Sequence, residues 1–465
     1  MTAEVYHRYH IPTAPAPDAA NHPSRFVVRV DRLKLASLLL RELVHYRADL
    51  GVVLSRPCLY GVFSGPVGGF APRSKMCVGC LRCTVQYPDM VRVLPNPARR
   101  RLGDRYFTPD AVDTVLYEAS TGRVPVRGAG YRGPFAGDGW DGLWTDMSEI
   151  VRPTRDGIHG REFISTAVDL GWRPDFLQWD ESGRVVGDVP RLVRLPIPYL
   201  FDVMPSSLES VELYDVLAAA AARLDGLAFV PMAYAVGATA LGGHHVAPVV
   251  RRHEIDRAAG SGLNPRVAAL DGWEPQAYRR LTALWPDALI AVRHGFDLDP
   301  VEAVNHGVPI LHLVADYHGR AGGRFVAEAL RQAHDRLVRD GSRERVTVIA
   351  SGGLTSAEHA PKAILCGADA VALDLPLAVA LQAEFEGECR AREQAALRLG
   401  RFDHAWGVQR VVNLIGSWRD QVLEVLGAMG LREIRRLRGE VGRLMLAAEL
   451  EQEAFAGIEG FGGMP

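Results

Sequence analysis

The sequence predicts an α/β fold whose centre is a (β/α)8 TIM barrel. After Arg191, short apolar runs alternate with longer amphipathic runs, a pattern typical of a parallel sheet covered by helices. Seven candidate strands are visible over about 180 residues, and RVAAL at 266–270 supplies an eighth. The seven are LVRLPIPYLFDVM, LAFVPM, VAPVV, ALIAVR, PILHLV, VTVIAS and DAVALDL.

The segments outside the barrel have other patterns. Residues up to about His22 are rich in Pro and Ala, and residues from Arg25 to about Leu54 have apolar side chains at the spacing of one amphipathic helix. Residues 106–172 lack periodicity and predict a long functional connection. The tail at 392–450 predicts two helices separated by Gly430. We therefore predict five segments: an arm and helix at 1–55, a cysteine segment at 56–110, a connecting strap or lid at 111–190, the barrel at 191–390 and a C-terminal helical extension at 391–465.

Composition excludes several classes of protein. Of the 465 residues, 48% are hydrophobic and 23% charged, which is typical of a globular protein and excludes wholesale disorder. The formal net charge of -2 gives no overall attraction to nucleic acid or to anionic membranes. The first residues lack the features of an export signal, and prolines interrupt the uncharged stretch at 226–250. We expect a cytoplasmic protein with neither nucleic acid nor membrane as a partner.

Four of the six cysteines are close together in the sequence. Cys77, Cys80 and Cys83 form C-x2-C-x2-C, a spacing that can hold three corners of an iron–sulfur cube. Cys58 is the nearest candidate for a fourth ligand. Zinc and free structural cysteines are the alternatives, although structural zinc usually shows paired C-x2-C groups. We predict an iron–sulfur cluster on these four cysteines, with four irons if Cys58 is a ligand and three irons if it is not, and we favour the four-iron form.

A glycine turn follows the candidate strand VTVIAS. In TIM barrels the loops after strands seven and eight bind phosphate, because glycine lets backbone N–H groups approach an anion closely. Ser351, Gly352 and Gly353 are therefore candidates for contact with the phosphate of flavin mononucleotide (FMN) or of a phosphorylated substrate. A tight turn that requires glycine is the alternative. A redox cluster in the same chain favours FMN.

Polar residues that follow other candidate strands are candidates for the catalytic residues. Arg293 follows ALIAV and His318 follows PILHLV, so both should lie at the carboxyl ends of the barrel strands. A surface ion pair is the alternative for Arg293. His312 lies within a strand and is expected to be buried with its hydrogen bonds satisfied. His244 and His245 are not expected to share a metal, because adjacent strand residues point to opposite faces.

Charged residues are concentrated in the segment DMSEIVRPTRDGIHGREF at 146–163. This segment is either a solvated strap or an active-site lid. In the second case, arginine side chains such as Arg152 and Arg155 can hold substrate carboxylates in bidentate fashion. We predict that these two arginines bind the substrate.

Three segments together resemble one family. GYRGPFAGDGWDGLWTDMSEIVRPTRDGIHGREFIST, CVGCLRCTVQYP and SGGLTSAEHAPKAILCGADAV resemble the FMN-binding glutamate synthase family, in its short form with an N-terminal iron–sulfur segment. The likeness spans roughly residues 58–445. It implies an oxidoreductase that passes electrons from the cluster to FMN and reduces the imine of 2-oxoglutarate and ammonia to glutamate. It also implies that Leu373 and Asp374, in the second phosphate loop ALDLP, contact phosphate through their backbone.

The resemblance also implies partner proteins, and the sequence departs from the family at several positions. It implies an electron donor protein or reductase subunit. Because the chain starts MTAEV instead of with a glutaminase cysteine, it also implies dependence on external ammonia or on a separate amidotransferase subunit. DYHGRAGGRF stands where the family has a GGTGASP-type loop, and Arg293 stands where it has a lysine. These departures leave alternatives: a flavin oxidoreductase on a different amine or carbonyl substrate, a non-catalytic iron–sulfur subunit with a decayed barrel site, or a phosphate-binding barrel isomerase or lyase.

Overall fold

The structure is a computed structural model that describes residues 9–53, 58–128, 139–147, 164–174 and 176–446. The chain divides into two compact units. We call one the cysteine unit and the other the barrel unit, and the five segment boundaries given above remain predictions. The cysteine unit comprises the described residues of Asp18–Gly103 and Pro125–Phe135, and the barrel unit those of Met1–Pro17, Asp104–Val124 and Ala136–Pro465.

The cysteine unit contains a two-stranded antiparallel sheet and short helices. The single helix predicted from Arg25 is wrong at its start, because FVVRV alternates buried Phe26 and Val28 with more exposed residues and forms a strand. The helix begins after Asp31, whose carboxylate accepts backbone N–H groups of the first turn. The elements are β1 (Phe26–Val30), α1 (Arg32–His45), α2 (Leu50–Val53), α3 (Arg82–Gln86) and β2 (Val91–Pro95), with β1 paired to β2.

The barrel unit opens with elements that precede the barrel itself. The prediction that residues 106–172 form a long connection without regular structure is partly wrong. Thr108 caps a helix whose buried side chains recur at helical spacing. These elements are α4 (Pro109–Thr121), β3 (Leu143–Thr145), β4 (Val168–Trp172), β5 (Gln178–Trp179), β6 (Val185–Val186) and β7 (Arg191–Leu195).

Eight parallel strands close into a barrel, in the same order around the barrel as along the chain. This confirms the predicted (β/α)8 fold. RVAAL, the run with the weakest strand pattern in the sequence, forms one of the eight strands. The barrel strands are β8 (Tyr199–Phe201), β9 (Ala228–Pro231), β10 (Val246–Arg251), β11 (Val267–Asp271), β12 (Leu289–Gly295) and β13 (Ile310–Val314), then, after a hairpin of β14 (Arg320–Ala321) and β15 (Arg324–Phe325), β16 (Thr347–Ser351) and β17 (Ala370–Leu373).

Helices cover the outer face of the barrel. Most residues of the barrel strands are buried, as expected when both faces of a parallel sheet are covered. The covering helices are α5 (Val211–Arg223), α6 (Met232–Gly242), α7 (Ile255–Ala259), α8 (Pro275–Leu284), α9 (Pro300–Asn305), α10 (Val326–Asp340), α11 (His359–Leu365) and α12 (Leu375–Ala380).

The antiparallel pair β4–β7 lies at the amino-terminal end of the barrel. The N–H group of Gly171 in β4 donates a hydrogen bond of 2.9 Å to the hydroxyl of Thr347, the first residue of β16. Leu170 and Leu195 of this pair are fully buried. The pair therefore packs against the floor of the barrel, and the carboxyl ends of the strands are left for a functional site.

The C-terminal part contains one long helix where two were predicted. It comprises β18 (Glu384–Phe385), β19 (Leu397–Arg398), α13 (His404–Ala428) and β20 (Leu444–Leu446). Gly430, with φ of 70°, ends the chain's helical run as expected. The prediction of a second helix is wrong. The segment after Gly430 forms 3-10 turns that bury Ile434 and Leu437, and it ends in β20, which pairs with β3. Among the residues that the structure describes, no helix is long and apolar enough to cross a lipid bilayer.

Candidate functional site

A buried ion-pair network lies at the carboxyl ends of the barrel strands, which we call the mouth. Asp202 directly follows β8 and is fully buried. Its carboxylate accepts hydrogen bonds from Arg293 of β12, from Nε at 3.0 Å and from Nη2 at 3.2 Å. Arg293 Nη1 donates a further hydrogen bond of 3.1 Å to Asp271 at the end of β11. The predicted catalytic Arg293 thus lies at the mouth, with its guanidinium group between two carboxylates.

Arg392 joins this network from the segment between β18 and β19. It donates to Asp202 at 3.3 Å and to Asp374 at 2.9 Å, and its guanidinium carbon lies 4.6 Å from the ring centre of Tyr317. Asp374 directly follows β17, and its carboxylate also accepts the N–H group of Leu375 at the start of α12, at 2.6 Å. Three carboxylates therefore share two guanidinium groups at the mouth.

Burial and charge act in opposite directions on these groups. Burial alone would raise the pKa of Asp202, but the positive charges of Arg293 and Arg392 hold it well below its usual range. Burial raises the pKa of Asp374, which Arg392 opposes only in part. Burial lowers the pKa of His312 in β13 to about 3, so its ring is neutral at pH 7. The mouth has no surplus of positive charge in its buried network.

The glycine turn after β16 packs tightly against the loop after β13. Ser351 is buried, and its hydroxyl lies 2.6 Å from His312 Nε2. Gly352 has φ of 107°, and a Cβ atom there would lie 2.5 Å from the carbonyl oxygen of Asp316. A Cβ atom on Gly353 would lie 2.7 Å from the Cα atom of Gly319. Glycine is therefore required by the close approach of two loops, whereas contact with phosphate remains a prediction.

His318 forms an aspartate–histidine pair beside this turn. Its Nε2 atom lies 3.0 Å from the carboxylate of Asp104, and its Nδ1 atom lies 3.8 Å from the carboxylate of Glu388. The ring of Tyr106 stacks on the imidazole at 5.1 Å, and its hydroxyl donates to the carbonyl oxygen of Gly353 at 2.7 Å. Burial opposes ionisation of Asp104, but its hydrogen bonds, led by that with His318, hold its pKa below its usual value.

A cavity of about 520 Å³ adjoins the mouth, a volume within the ordinary range for small-molecule pockets. Its wall is formed by the end of β13 and by the segment that carries Arg392. Both acidic and basic side chains line it, so it suits a polar ligand better than an apolar one. The lining residues are Val314, Ala315, Asp316, Glu388, Arg390, Ala391, Arg392, Glu393 and Gln394.

The cysteine unit has a separate candidate site. Cys58, Cys77, Cys80 and Cys83 all line one small pocket, and all four are free, partly buried thiols. Its other walls are mainly apolar: Val28, Tyr60, Val62, Phe63, Val78, Leu81 and Val93. The structure therefore brings together the four cysteines that were singled out in the sequence.

The pKa values of these thiols and the distances between their sulfur atoms affect which metal ion or cluster they can bind. Burial raises the pKa of Cys77 and Cys83, and backbone N–H groups of Gly79 and Thr84 oppose that rise. Although the structure describes all four sulfur atoms, no three of them lie within 4.8 Å of one another. Ligands at about 2.3 Å from one tetrahedral zinc ion would be closer together than this.

Three further expectations have different outcomes. Leu373, a predicted cofactor contact, is the buried last residue of β17, next to Asp374. The predicted substrate ligands Arg152 and Arg155 lie outside the described residues. The expectation that His244 and His245 point to opposite faces is wrong, because they lie in a 3-10 turn before β10 and their ring centroids are 4.0 Å apart.

Sequence reasoning missed Asp202, Arg392 and Asp104. Asp202 could have been found, because within the run LVRLPIPYLFDVM it directly follows the apolar residues YLF, as Arg293 follows ALIAV. Arg392 lies in the aperiodic stretch ECRAREQ, and Asp104 precedes His318 by 214 residues. Nothing in the local pattern indicates that either residue reaches the mouth.

The fold and the mouth define a (β/α)8-barrel protein with a polar site at the carboxyl ends of its strands, joined to a four-cysteine unit. Residues 318–432 match a family described as the conserved region in glutamate synthase. Archaeal-type glutamate synthase [NADPH] from Dehalococcoides mccartyi is 26% identical over 79% of this chain and 86% of its own length. Archaeal glutamate synthase [NADPH] from Archaeoglobus fulgidus is 25% identical over 78% and 84%.

These matches confirm the predicted resemblance to the glutamate synthase family. The prediction of an oxidoreductase is confirmed as well. Among solved structures, a flavocytochrome b2 variant with sulfite bound matches with a TM-score of 0.43, 13% identity and coverage of 66% of this chain and 77% of that one. A mandelate oxidase variant matches with a TM-score of 0.38, 15% identity and coverage of 65% and 98%.

Proposed function

We propose that this chain reduces the imine of 2-oxoglutarate and ammonia to glutamate, with an iron–sulfur cluster in the cysteine unit and FMN at the barrel mouth. The observation that carries the proposal is the convergence of four free cysteines in a chain of the glutamate synthase family. Ammonia and the 2-oxo group condense with loss of water, and two electrons and two protons then give the amino acid. The predicted cytoplasmic location is part of this proposal.

The four cysteines fit an iron–sulfur cluster in their donor chemistry. Four thiolates are the usual ligand set of a [4Fe–4S] cluster, and the mainly apolar walls of the pocket suit a buried cluster. Cys58, Cys77, Cys80 and Cys83 would hold the cluster, which when bound stores and passes on single electrons.

The mouth fits FMN in part. The glycine turn of Ser351–Gly353 supplies backbone N–H groups, whereas the guanidinium groups of Arg293 and Arg392 are already paired with buried carboxylates. Flavin, when bound, supplies the hydride chemistry that no amino-acid side chain offers. Asp374 does not fit, because its carboxylate caps the start of α12, the position at which a phosphate would bind. We propose that FMN binds here with its phosphate held chiefly by the backbone N–H groups of the glycine turn.

The groups that would handle substrate are cationic and acid–base side chains. 2-Oxoglutarate has two carboxylates, which suit arginine side chains, and we propose Arg152, Arg155 and Arg293 for these contacts. His318 Nε2 is held by Asp104, so its Nδ1 atom is the position that can release or take up a proton. His318 is accordingly our candidate for proton delivery to the substrate.

Isotope labelling tests the reaction directly. The purified chain is incubated anaerobically with dithionite, 2-oxoglutarate and 15N-labelled ammonium, and labelled glutamate is measured by mass spectrometry. We expect glutamate only when both substrates are present, and a strong loss of product in His318→Gln, which cannot deliver a proton. Flavin reduction with no glutamate formation, while another 2-oxo acid or carbonyl compound is consumed, would favour the alternative substrate class.

The second candidate is a non-catalytic subunit, and Asp374 is the observation that favours it. If its carboxylate blocks the phosphate position, Asp374→Asn removes a buried negative charge from that position and should raise the affinity for FMN about tenfold. Riboflavin lacks the phosphate, so its affinity should stay the same. The measurement is a fluorescence titration of flavin-free protein, with Asp297→Asn, an exposed aspartate outside the network, as the matched control. Equal changes for FMN and riboflavin would contradict this role of Asp374.

The names of the two relatives include NADPH. We propose that electrons reach this chain through a separate donor protein or reductase subunit, and that ammonia is free or comes from a separate amidotransferase. The labelling assay with NADPH in place of dithionite tests the proposal of a separate electron donor. No glutamate is expected from NADPH alone.

A further inference from the structure

The adjacent histidines His244 and His245 take no part in the proposed reaction. They lie in a 3-10 turn, Gly243–His245, directly before β10, and their ring centroids are 4.0 Å apart. Adjacent residues of a 3-10 turn are about 120° apart around its axis, whereas adjacent residues of a strand point to opposite faces. The reason for excluding a shared metal ion therefore does not hold in the folded protein.

Asp225 forms a cluster with the two histidines. It lies three residues before β9, the strand that pairs with β10 in the barrel. One carboxylate oxygen of Asp225 and one ring nitrogen of each histidine all lie within 4.8 Å of one another. Since all three residues precede their strands, the cluster lies at the amino-terminal end of the barrel, opposite the mouth.

A backbone carbonyl group orients the ring of His245. This histidine is buried, and its Nδ1 atom lies 2.9 Å from the carbonyl oxygen of Gly226 and 3.8 Å from the carboxylate of Asp225. A carbonyl oxygen only accepts hydrogen bonds, so in the neutral ring Nδ1 carries the proton and Nε2 has the lone pair. Histidines that bind metals usually donate their other ring N–H group to a carbonyl or carboxylate oxygen in this way. His245 is thus oriented to bind a metal through Nε2.

The other two side chains of the cluster are accessible and can adjust. His244 is exposed, and the side chain of Asp225 is 64% exposed. Both can rotate to reach the separation of about 3.3 Å that ligands at about 2.0 Å from a tetrahedral zinc ion require. Burial and the charges of His245 and Arg266 lower the pKa of His244, so its ring is neutral at pH 7 and can offer a lone pair.

The two other clusters of histidine and carboxylate groups in the described part of the chain are engaged differently. One contains His318 and belongs to the mouth. In the other, His359 Nδ1 accepts the N–H group of Thr355 at 3.0 Å, and its Nε2 atom donates to Asp141 at 2.9 Å. Because both ring nitrogens of His359 are already hydrogen-bonded, this second cluster does not offer an imidazole lone pair.

We propose that Asp225, His244 and His245 bind a divalent transition-metal ion with the ligand preferences of Zn²⁺. Two imidazole nitrogens and one carboxylate oxygen suit such an ion, whereas Mg²⁺ and Ca²⁺ prefer oxygen ligands. A water molecule supplies the fourth position when three protein groups bind zinc. The bound ion links the starts of β9 and β10. The site is independent of the proposed function, because neither the mouth nor the four cysteines take part in it.

The metal at this site should exchange with solution. Two of its three protein ligands are exposed, and the positive charge of Arg266, which acts on both His244 and Asp225, opposes a cation. We therefore expect weaker binding than at a structural zinc site with four protein ligands, whose binding free energy is part of folding.

X-ray absorption at the zinc K edge tests which groups bind the metal. One equivalent of ZnCl2 is added to the purified holoprotein, and the distances from zinc to its neighbours are measured. We expect nitrogen and oxygen neighbours at about 2.0–2.1 Å and no sulfur neighbour at about 2.3 Å. This difference separates the proposed site from zinc held by the four cysteines.

Calorimetric titration with ZnCl2 tests the residues. H244Q and D225N should each weaken zinc binding at least about tenfold, and H253Q, which replaces an exposed histidine outside the cluster, should change it less than about twofold. Circular dichroism checks that each variant is folded. Because binding to the native state stabilises it, zinc should raise the midpoint of thermal unfolding in the wild type and in H253Q but not in H244Q.

Three results would overturn the inference. The first is equal zinc affinity in H244Q and H253Q, which would mean adventitious binding only. The second is zinc in the wild type with sulfur neighbours alone, which would place the metal at the cysteines. The third is binding of Mg²⁺ as tight as that of Zn²⁺, which would indicate a cation site built from oxygen ligands without the imidazoles.

Discussion

Cys77→Ser is expected to reduce the iron content from about four atoms per chain to nearly none. The four sulfur atoms converge on one pocket, and a serine hydroxyl is a poor replacement for a thiolate ligand to iron. The measurement is iron and acid-labile sulfide per chain after anaerobic purification, together with the visible absorption of the cluster. Glutamate formation driven by the electron donor protein should be lost with the cluster.

Cys366→Ala is the matched control for this prediction. Cys366 is a buried, free cysteine of the barrel unit and is not among the four that converge. Its replacement should leave iron and sulfide unchanged. Equal iron in Cys77→Ser and in the wild type would contradict the assignment of the ligands. One tightly bound zinc ion per chain, without sulfide, would instead support the zinc alternative.

Asp202→Asn is expected to lower the free energy of unfolding of the barrel unit by about 3–5 kcal/mol. The Asp202 carboxylate is fully buried and accepts hydrogen bonds from both Arg293 and Arg392. Replacing it with an amide leaves two buried guanidinium groups with fewer negative partners. Urea-induced unfolding followed by circular dichroism measures the change.

Asp256→Asn is the control, since it breaks an exposed ion pair of similar length, 2.8 Å, with Arg280. Its effect should be below about 1 kcal/mol. The pH dependence gives a second test of Asp202. Because its pKa is lowered in the folded protein, its stabilising contribution is present above about pH 4 and is lost as the pH falls toward the lowered value. Asp202→Asn should therefore lose less stability on acidification than the wild type.

The barrel could be predicted from the sequence because its strands are local patterns. Each barrel strand is a short apolar run between amphipathic helices, and the runs kept their order in the closed sheet. The errors arose where tertiary contacts override local periodicity. Residues 26–30 have apolar side chains that also suit a helix, yet they form β1 because β2 pairs with them. The segment after Gly430 forms 3-10 turns and β20 because Ile434 and Leu437 are buried and β3 pairs with the strand.

The candidate sites were predictable to different extents. The ligand spacing of the cysteines is a local pattern, and the structure places Cys58 beside the other three although it precedes Cys77 by 19 positions. The partners of Arg293 and His318 were not predictable, because Asp202 and Asp104 approach them from distant parts of the chain. The glycine turn has a structural reason in the packing of Gly352 against the Asp316 loop. A glycine pair therefore cannot by itself distinguish phosphate binding from loop packing.

The proposed function requires that one chain holds both a flavin and an iron–sulfur cluster. Anaerobic purification from a flavin- and iron-replete host tests this requirement, followed by release and identification of the flavin and by quantification of iron and sulfide. We expect FMN together with about four irons and four sulfides per chain. Iron and sulfide without any flavin would contradict the proposed function and identify the barrel as a scaffold for an electron-carrying subunit.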